Sequence, residues 1–212
     1  MGDYKTPGVY VEEKSLLPAS VAGVSTAIPA FIGSTQKAGT NNELLGIPTK
    51  VTTLKEYEEL FGAQIIDTNA TTKIEVAVSA EGTISVTMPP VDQYMYYAMQ
   101  MFFNNGGESC YIVAVGTGVT YENAIDALKQ EDEPTLIVIP DAVQQSSHVT
   151  NLYTRVLQQC NTMKDRFAIF DVADSNDVAA DATAFRSAIG VDALKYGAAY
   201  YPYLQTTIPY LY

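Results

Sequence analysis

Few side chains in this 212-residue sequence have both the type and the place to support chemistry: Asp141, Asp171, Asp174, the adjacent Ser147 and His148, Cys110 and Cys160. Each aspartate follows or closes an apolar stretch. They are therefore expected near the carboxyl ends of strands, the edge at which open parallel sheets bind ligands. Three carboxylates meeting there would hold a divalent cation through oxygen ligands. The simpler reading makes each a helix cap or the start of a turn. His148 is the sole histidine, and it sits beside Ser147, whereas neighbours on a helix do not face each other. No Gly-x-Ser-x-Gly elbow accompanies them. Gly116-Thr-Gly118 lacks the third glycine of a dinucleotide fingerprint, and no phosphate-binding loop ending in Lys-Ser or Lys-Thr occurs. Two cysteines and one histidine at distant positions do not complete a tetrahedral zinc site. The sequence therefore predicts no catalytic residue, no cofactor, no metal and no small-molecule substrate. The rival reading is a small-ligand-binding protein or enzyme built on a doubly wound core. It requires Asp141, Asp171 and Asp174 to converge on a pocket.

The elements that would position these groups centre on residues 91–116. Val91, Met95, Ala98, Met99 and Phe102 recur at helical spacing. Tyr94, Tyr97 and Met101 make much of the opposite side apolar, so this helix, expected over 91–103, should be covered on more than one face. Asn104, Asn105, Gly106 and Gly107 stop it. The run Cys110-Tyr-Ile-Val-Ala-Val115 has no polar alternation, as in strands of a parallel sheet buried on both faces. Upstream, Thr26-Ala-Ile-Pro-Ala-Phe-Ile-Gly33 reads as the first core strand, with Pro29 pointing to a sheet edge or a strand start. Val51-Thr-Thr leads into a short helix with capping-box spacing at Thr53 and Glu56 and a stop at Gly62.

Downstream, helices opened by Thr120, Ser147 and Asp177 alternate with strands at 134–140, 166–172 and 195–201, which implies a mainly parallel sheet. Alternation on either side of Glu81-Gly82, from Lys73 to Met88, marks a β-hairpin. Near the start, Pro7-Gly8 precedes a short alternating strand with Val9 and Val11 on one side and Tyr10 and Glu12 on the other. The expected fold is α/β, a mainly parallel sheet flanked by helices. Residues 1–24 form an N-terminal arm and linker, and residues 25–212 form a core with a small β-hairpin insertion at about 64–90.

Composition narrows the partners. The formal net charge is −12 and the lysines and arginines are scattered singly, which excludes nucleic acid and an anionic membrane surface as binding partners. No apolar stretch is long enough to span a bilayer. Fifteen tyrosines beside no tryptophan suit surfaces where a ring is half-buried, interfaces among them. Cys110 and Cys160 read as buried free thiols in a reducing cytoplasm.

Several segments in order resemble the tail-sheath family of contractile injection machines, which includes phage tail sheaths. They are Tyr4 with Pro7-Gly-Val-Tyr-Val-Glu12, Val24 through Gly33, and Pro48 to Val51 with Glu56-Tyr57 and Phe61-Gly62. Phe102-Phe-Asn-Asn-Gly-Gly107 leading to Cys110–Val115 follows, then Cys160, Asp165-Arg-Phe-Ala-Ile-Phe-Asp171 and Ala198-Ala-Tyr-Tyr-Pro-Tyr203. The resemblance implies a structural protein, assembled in the bacterial cytoplasm, whose copies form a helical sleeve around a tube in a phage tail or phage-tail-like particle. Other sheath subunits and an inner tube protein are the implied partners, with a baseplate as a further candidate. It also implies that Tyr4, Pro7, Gly8, Val9, Tyr10, Val11 and Glu12 form an inter-subunit arm that adds to a neighbour's sheet. Members of the family continue past the Tyr-Tyr-Pro segment, so their C-terminal region is expected to be missing here.

Overall fold

The computed structural model describes residues 27–64, 74–79, 81–87 and 94–210. The expected arm, Tyr4 to Glu12, lies outside the described residues, as do Val91 and the hairpin flanks Lys73 and Met88. Six strands form one sheet: β1 (Pro29–Ser34), β2 (Thr49–Val51), β5 (Cys110–Val115), β6 (Leu136–Val138), β7 (Phe167–Asp171) and β8 (Gly197–Tyr200), in the order β2-β5-β1-β6-β7-β8. All neighbours are parallel except β2, which runs antiparallel to β5. A separate antiparallel pair, β3 (Glu75–Val78) and β4 (Ile84–Thr87), forms the expected hairpin. The fold is thus α/β with a mainly parallel sheet.

Alternation along the two central strands sorts the core into two layers. Ala30, Ile32, Tyr111, Val113 and Val115 face α3 (Tyr121–Ala127), α4 (Thr154–Met163) and α5 (Val178–Ile189). Phe31, Cys110, Ile112 and Ala114 face α1 (Leu54–Phe61) and α2 (Met95–Asn104). All six residues of β5 are buried, as the unbroken apolar run requires. Met95, Tyr96, Tyr97 and Met99 are buried in α2. Three consecutive buried positions span most of a helix circumference, so α2 is covered on more than one face.

The helix starts are set locally. The Thr53 side chain accepts from Glu56 N at 3.1 Å. The Glu56 carboxylate reaches back to Thr52 N at 2.8 Å, one residue earlier than in the usual reciprocal box. Gly62 stops α1 at φ +81°, with Gln36 Oε1 only 2.3 Å from where a Cβ would stand. Thr120 and Asn123 make a complete capping box at α3, and Asp177 accepts from Ala179 N and Ala180 N at α5. Buried Arg166 ties β7 to the turn after α3 by donating to the carbonyls of Leu128 and Glu131 at 3.0 and 2.8 Å.

Of the two places Pro29 pointed to, the structure takes the strand start: Pro29 is the first residue of the interior strand β1, where a missing N–H costs no ladder bond. Residues 49–51 add strand β2, too short for its alternation to show, before α1 begins. One expectation is corrected: Ser147 does not cap a regular helix. It sits at φ +56° before a π-helical turn, Val149–Tyr153, that runs into α4. Its inward side chains are nonetheless those expected: Val149, Leu152, Tyr153, Val156, Leu157 and Cys160 are buried.

Candidate functional site

The connections leave β1 toward β5 on one side and β6 toward β7 on the other. The crevice outside the carboxyl ends of β1 and β6 is therefore the switch point at which doubly wound sheets take ligands. Asp141, three residues beyond β6, occupies it at 1% exposure. One carboxylate oxygen accepts from Ser34 N, at the end of β1, at 2.9 Å. The other accepts from Tyr94 N, at the amino end of α2, at 2.5 Å. A strand end and a helix start are where such folds hold an anion, and here the anion is the chain's own carboxylate.

The fit is tight. A Cβ on Gly33 would stand 2.6 Å from Asp141 Oδ2. On the other side, the Tyr121 hydroxyl is buried without a partner of good hydrogen-bond geometry. Burial, and after it the Asp141 charge, pushes its phenol up; nearby Ser34 acts the other way. Beside this point a cleft of about 540 Å³ opens, lined by Ser34, Gly116, Thr120, Tyr121, Gln145 and Asn151. Val115, Val119 and Leu152 add apolar wall, and Glu122 is its one charged lining residue among those described.

The three aspartates do not converge. Asp171 ends β7, and burial raises its carboxyl above the ordinary range. Its backbone carbonyl accepts from the Tyr153 hydroxyl at 3.0 Å. Asp174 starts a turn, accepting from Asn176 N at 3.0 Å and from the Tyr201 hydroxyl at 2.9 Å. Among the described residues no group of three His, Cys, Asp or Glu side chains is placed to hold a metal ion. The convergence required by the small-ligand reading is absent; the simpler reading of a turn describes Asp174, whereas Asp141 makes no side-chain bond at the helical turn it begins and instead joins two distant elements.

His148 Nδ1 lies 3.0 Å from the Gln145 carbonyl, its ring packs edge-on against Tyr153, and Nε2 is buried without a partner. Ser147 beside it is exposed, so the two form no nucleophile–base pair. Cys110 and Cys160 are free and buried in opposite layers of the core. Burial pushes each thiol up to about 12, which leaves both unreactive. No helix among the described residues is long and apolar enough to cross a membrane.

What the geometry defines is a doubly wound α/β scaffold whose usual ligand slot is filled by its own side chain. The same scaffold occurs in assembled contractile machinery. The chain matches the helical sheath of the anti-feeding prophage in its contracted state with a TM-score of 0.56 and 24% identity, over 94% of this chain and 46% of that one. It matches a chain of the anti-feeding prophage baseplate with a TM-score of 0.53 and 25% identity, over 94% and 47%. The chain thus spans about half the length of these solved chains. No protein-family model matches the sequence, and no curated protein sequence does. The fold is sheath-like, as the segments from Val24 to Tyr203 imply.

Proposed function

We propose that this chain is a structural, non-catalytic subunit of a contractile sheath that packs helically around an inner tube and drives injection by contraction. The observation that carries the reading is the likeness to the contracted sheath over 94% of the chain. The filled slot at Asp141 supports it, since a scaffold that spends its ligand site on internal hydrogen bonds is suited to packing rather than turnover. A non-closing contact between identical subunits yields a filament. A lattice with two packings can switch as a whole without nucleotide chemistry in each subunit. The proposed partners are further sheath subunits, the inner tube protein and the baseplate. Assembly takes place in the bacterial cytoplasm as part of a phage tail or phage-tail-like particle. Residues 4–12 serve as the arm that adds to a neighbour's sheet edge.

Electron microscopy of the full-length form, with the C-terminal region that sheath chains carry, expressed with its particle's inner tube protein tests this; the 212-residue chain alone is expected to stay monomeric or weakly associated. From the full-length form helical sleeves are expected, and deleting residues 1–13 should abolish them while leaving thermal unfolding of the core unchanged. Dispersed subunits in the undeleted full-length form would overturn the sheath reading. Sleeves from the deleted protein would overturn the role of the arm.

A further inference from the structure

We propose that the crevice outside β1 and β6 is a carboxylate-binding site with Asp141 as its resident ligand, able to take a free formate or acetate ion once that side chain is removed. The donors belong to the backbone and come from two elements. Ser34 N closes β1 and Tyr94 N opens α2, and each donates to a different oxygen of the one carboxylate. The first N–H groups of a helix have no acceptor within it, and the positive end of the α2 dipole favours an anion there.

The surroundings narrow the ligand to a small carboxylate. One donor per oxygen matches a planar carboxylate. The seat is closed, with Asp141 only 1% exposed, and a Cβ on Gly33 would already stand 2.6 Å from Oδ2, so a bulkier tetrahedral anion has no room. The buried Tyr121 hydroxyl stands beside the same carboxylate without a partner of good hydrogen-bond geometry. It offers a further donor to an ion that, unlike a tethered side chain, is free to turn. The backbone at Asp141, with φ −86° and ψ 2°, is allowed to alanine and glycine alike. Asp141→Ala therefore vacates a space the size of formate, and Asp141→Gly one the size of acetate. The inference concerns the crevice alone and does not rest on the sheath reading.

Titration of the Asp141→Ala chain with sodium formate at neutral pH, against sodium chloride at equal ionic strength, tests it. Wild type in the same salts sets the general salt effect. Formate should protect the folded variant saturably: at about ten times the dissociation constant the folded-to-unfolded ratio rises about elevenfold. The amide resonances of Ser34 and Tyr94 should shift together along the same isotherm. Acetate should bind Asp141→Gly more tightly than Asp141→Ala. Asp141→Asn keeps the shape but turns an amide NH2 toward one of the two donors. It should lower the folded-to-unfolded ratio about tenfold or more and ignore formate. Formate that acts on Asp141→Ala only as it acts on wild type overturns the proposal, as does protection without the joint shift of the two amides. If neither truncated variant folds, Asp141→Asn decides: stability equal to wild type overturns the proposal, and the tenfold loss upholds it.

Discussion

The crevice at Asp141 and the β3–β4 hairpin treat their chemistry in opposite ways. In the crevice a carboxylate at 1% exposure is held by two backbone N–H groups from separate elements. On the hairpin, aliphatic side chains that could have formed core stand half to two-thirds in water. A polar group is buried where the fold ordinarily meets a ligand, and an apolar face is exposed on an element outside the main sheet. Groups satisfied internally stabilise the subunit, whereas the exposed apolar face adds little to it.

The comparison is broken most directly at the crevice. Asp141→Ala leaves the Ser34 and Tyr94 N–H groups without their acceptor, and an unsatisfied buried donor costs about 1–3 kcal/mol. A total loss of about 2–5 kcal/mol in chemical denaturation is expected. A loss under about 0.5 kcal/mol would show that Asp141 is dispensable and the crevice open to a ligand after all. Gly33→Ala tests the same contact from the other side. Its Cβ would meet the carboxylate at 2.6 Å and Met95 Cε at 3.2 Å, a clash expected to cost about 1–3 kcal/mol. In an Asp141→Ala background that cost should fall by at least about 0.5 kcal/mol, because contacting residues couple. Independent losses would mean that the two sites do not share the strain.

Much of the frame around Asp141 was legible in the sequence because it rests on local chemistry. Thr53 with Glu56, Thr120 and Asp177 place three helix starts, and the run from Cys110 to Val115 marks a strand buried on both faces. The resemblance segments led to the sheath-like fold as well. What was not legible depends on contacts distant in sequence. Strand β2 has three residues, and its place at the edge is set by pairing with β5. The interior position of β1 follows from its parallel partners β5 and β6, whereas Pro29 alone pointed equally to an edge or a strand start. Asp141 looked like any cap, but the groups it caps lie 47 and 107 positions away. The small residue facing it, Gly33, was the available signal, meaningful only once β1 and β6 were neighbours.

Titration addresses Asp171, at the end of β7. Burial raises the folded-state carboxyl of Asp171 above its unfolded value. Over that window the folded chain binds more protons than the unfolded one, so stability falls as pH rises from the ordinary aspartate pKa of about 3.9 toward the folded value. Asp171→Asn should remove this dependence. The variant should be the more stable at neutral pH and indistinguishable from wild type well below the ordinary carboxylate range. Asp126 has the opposite sign. Hydrogen bonds from Arg155 and then Lys129 hold its carboxyl down, so its contribution is present above the unfolded pKa and lost as pH falls through the folded one. Asp126 is partly exposed, so that term is screened and small. A stability profile of Asp171→Asn that parallels wild type across the window would show that the Asp171 carboxyl is solvated.

The smallest effect is expected on the hairpin, and its smallness is informative. Val76 is 61% exposed and Val86, its cross-strand partner, 54%, so replacing Val76 removes little that is buried within one subunit. At dilute concentration Val76→Thr should change the stability of the main sheet by no more than about 0.5 kcal/mol, against the loss of several kcal/mol expected from Asp141→Ala. Threonine keeps the β-branched shape and strand propensity, so what changes is chiefly the apolar character of the exposed face. A Val76→Thr loss above about 1.5 kcal/mol in dilute chain would mean that the hairpin face is covered by the subunit's own residues. The exposed face would then be part of the core, and the contrast with Asp141 would disappear.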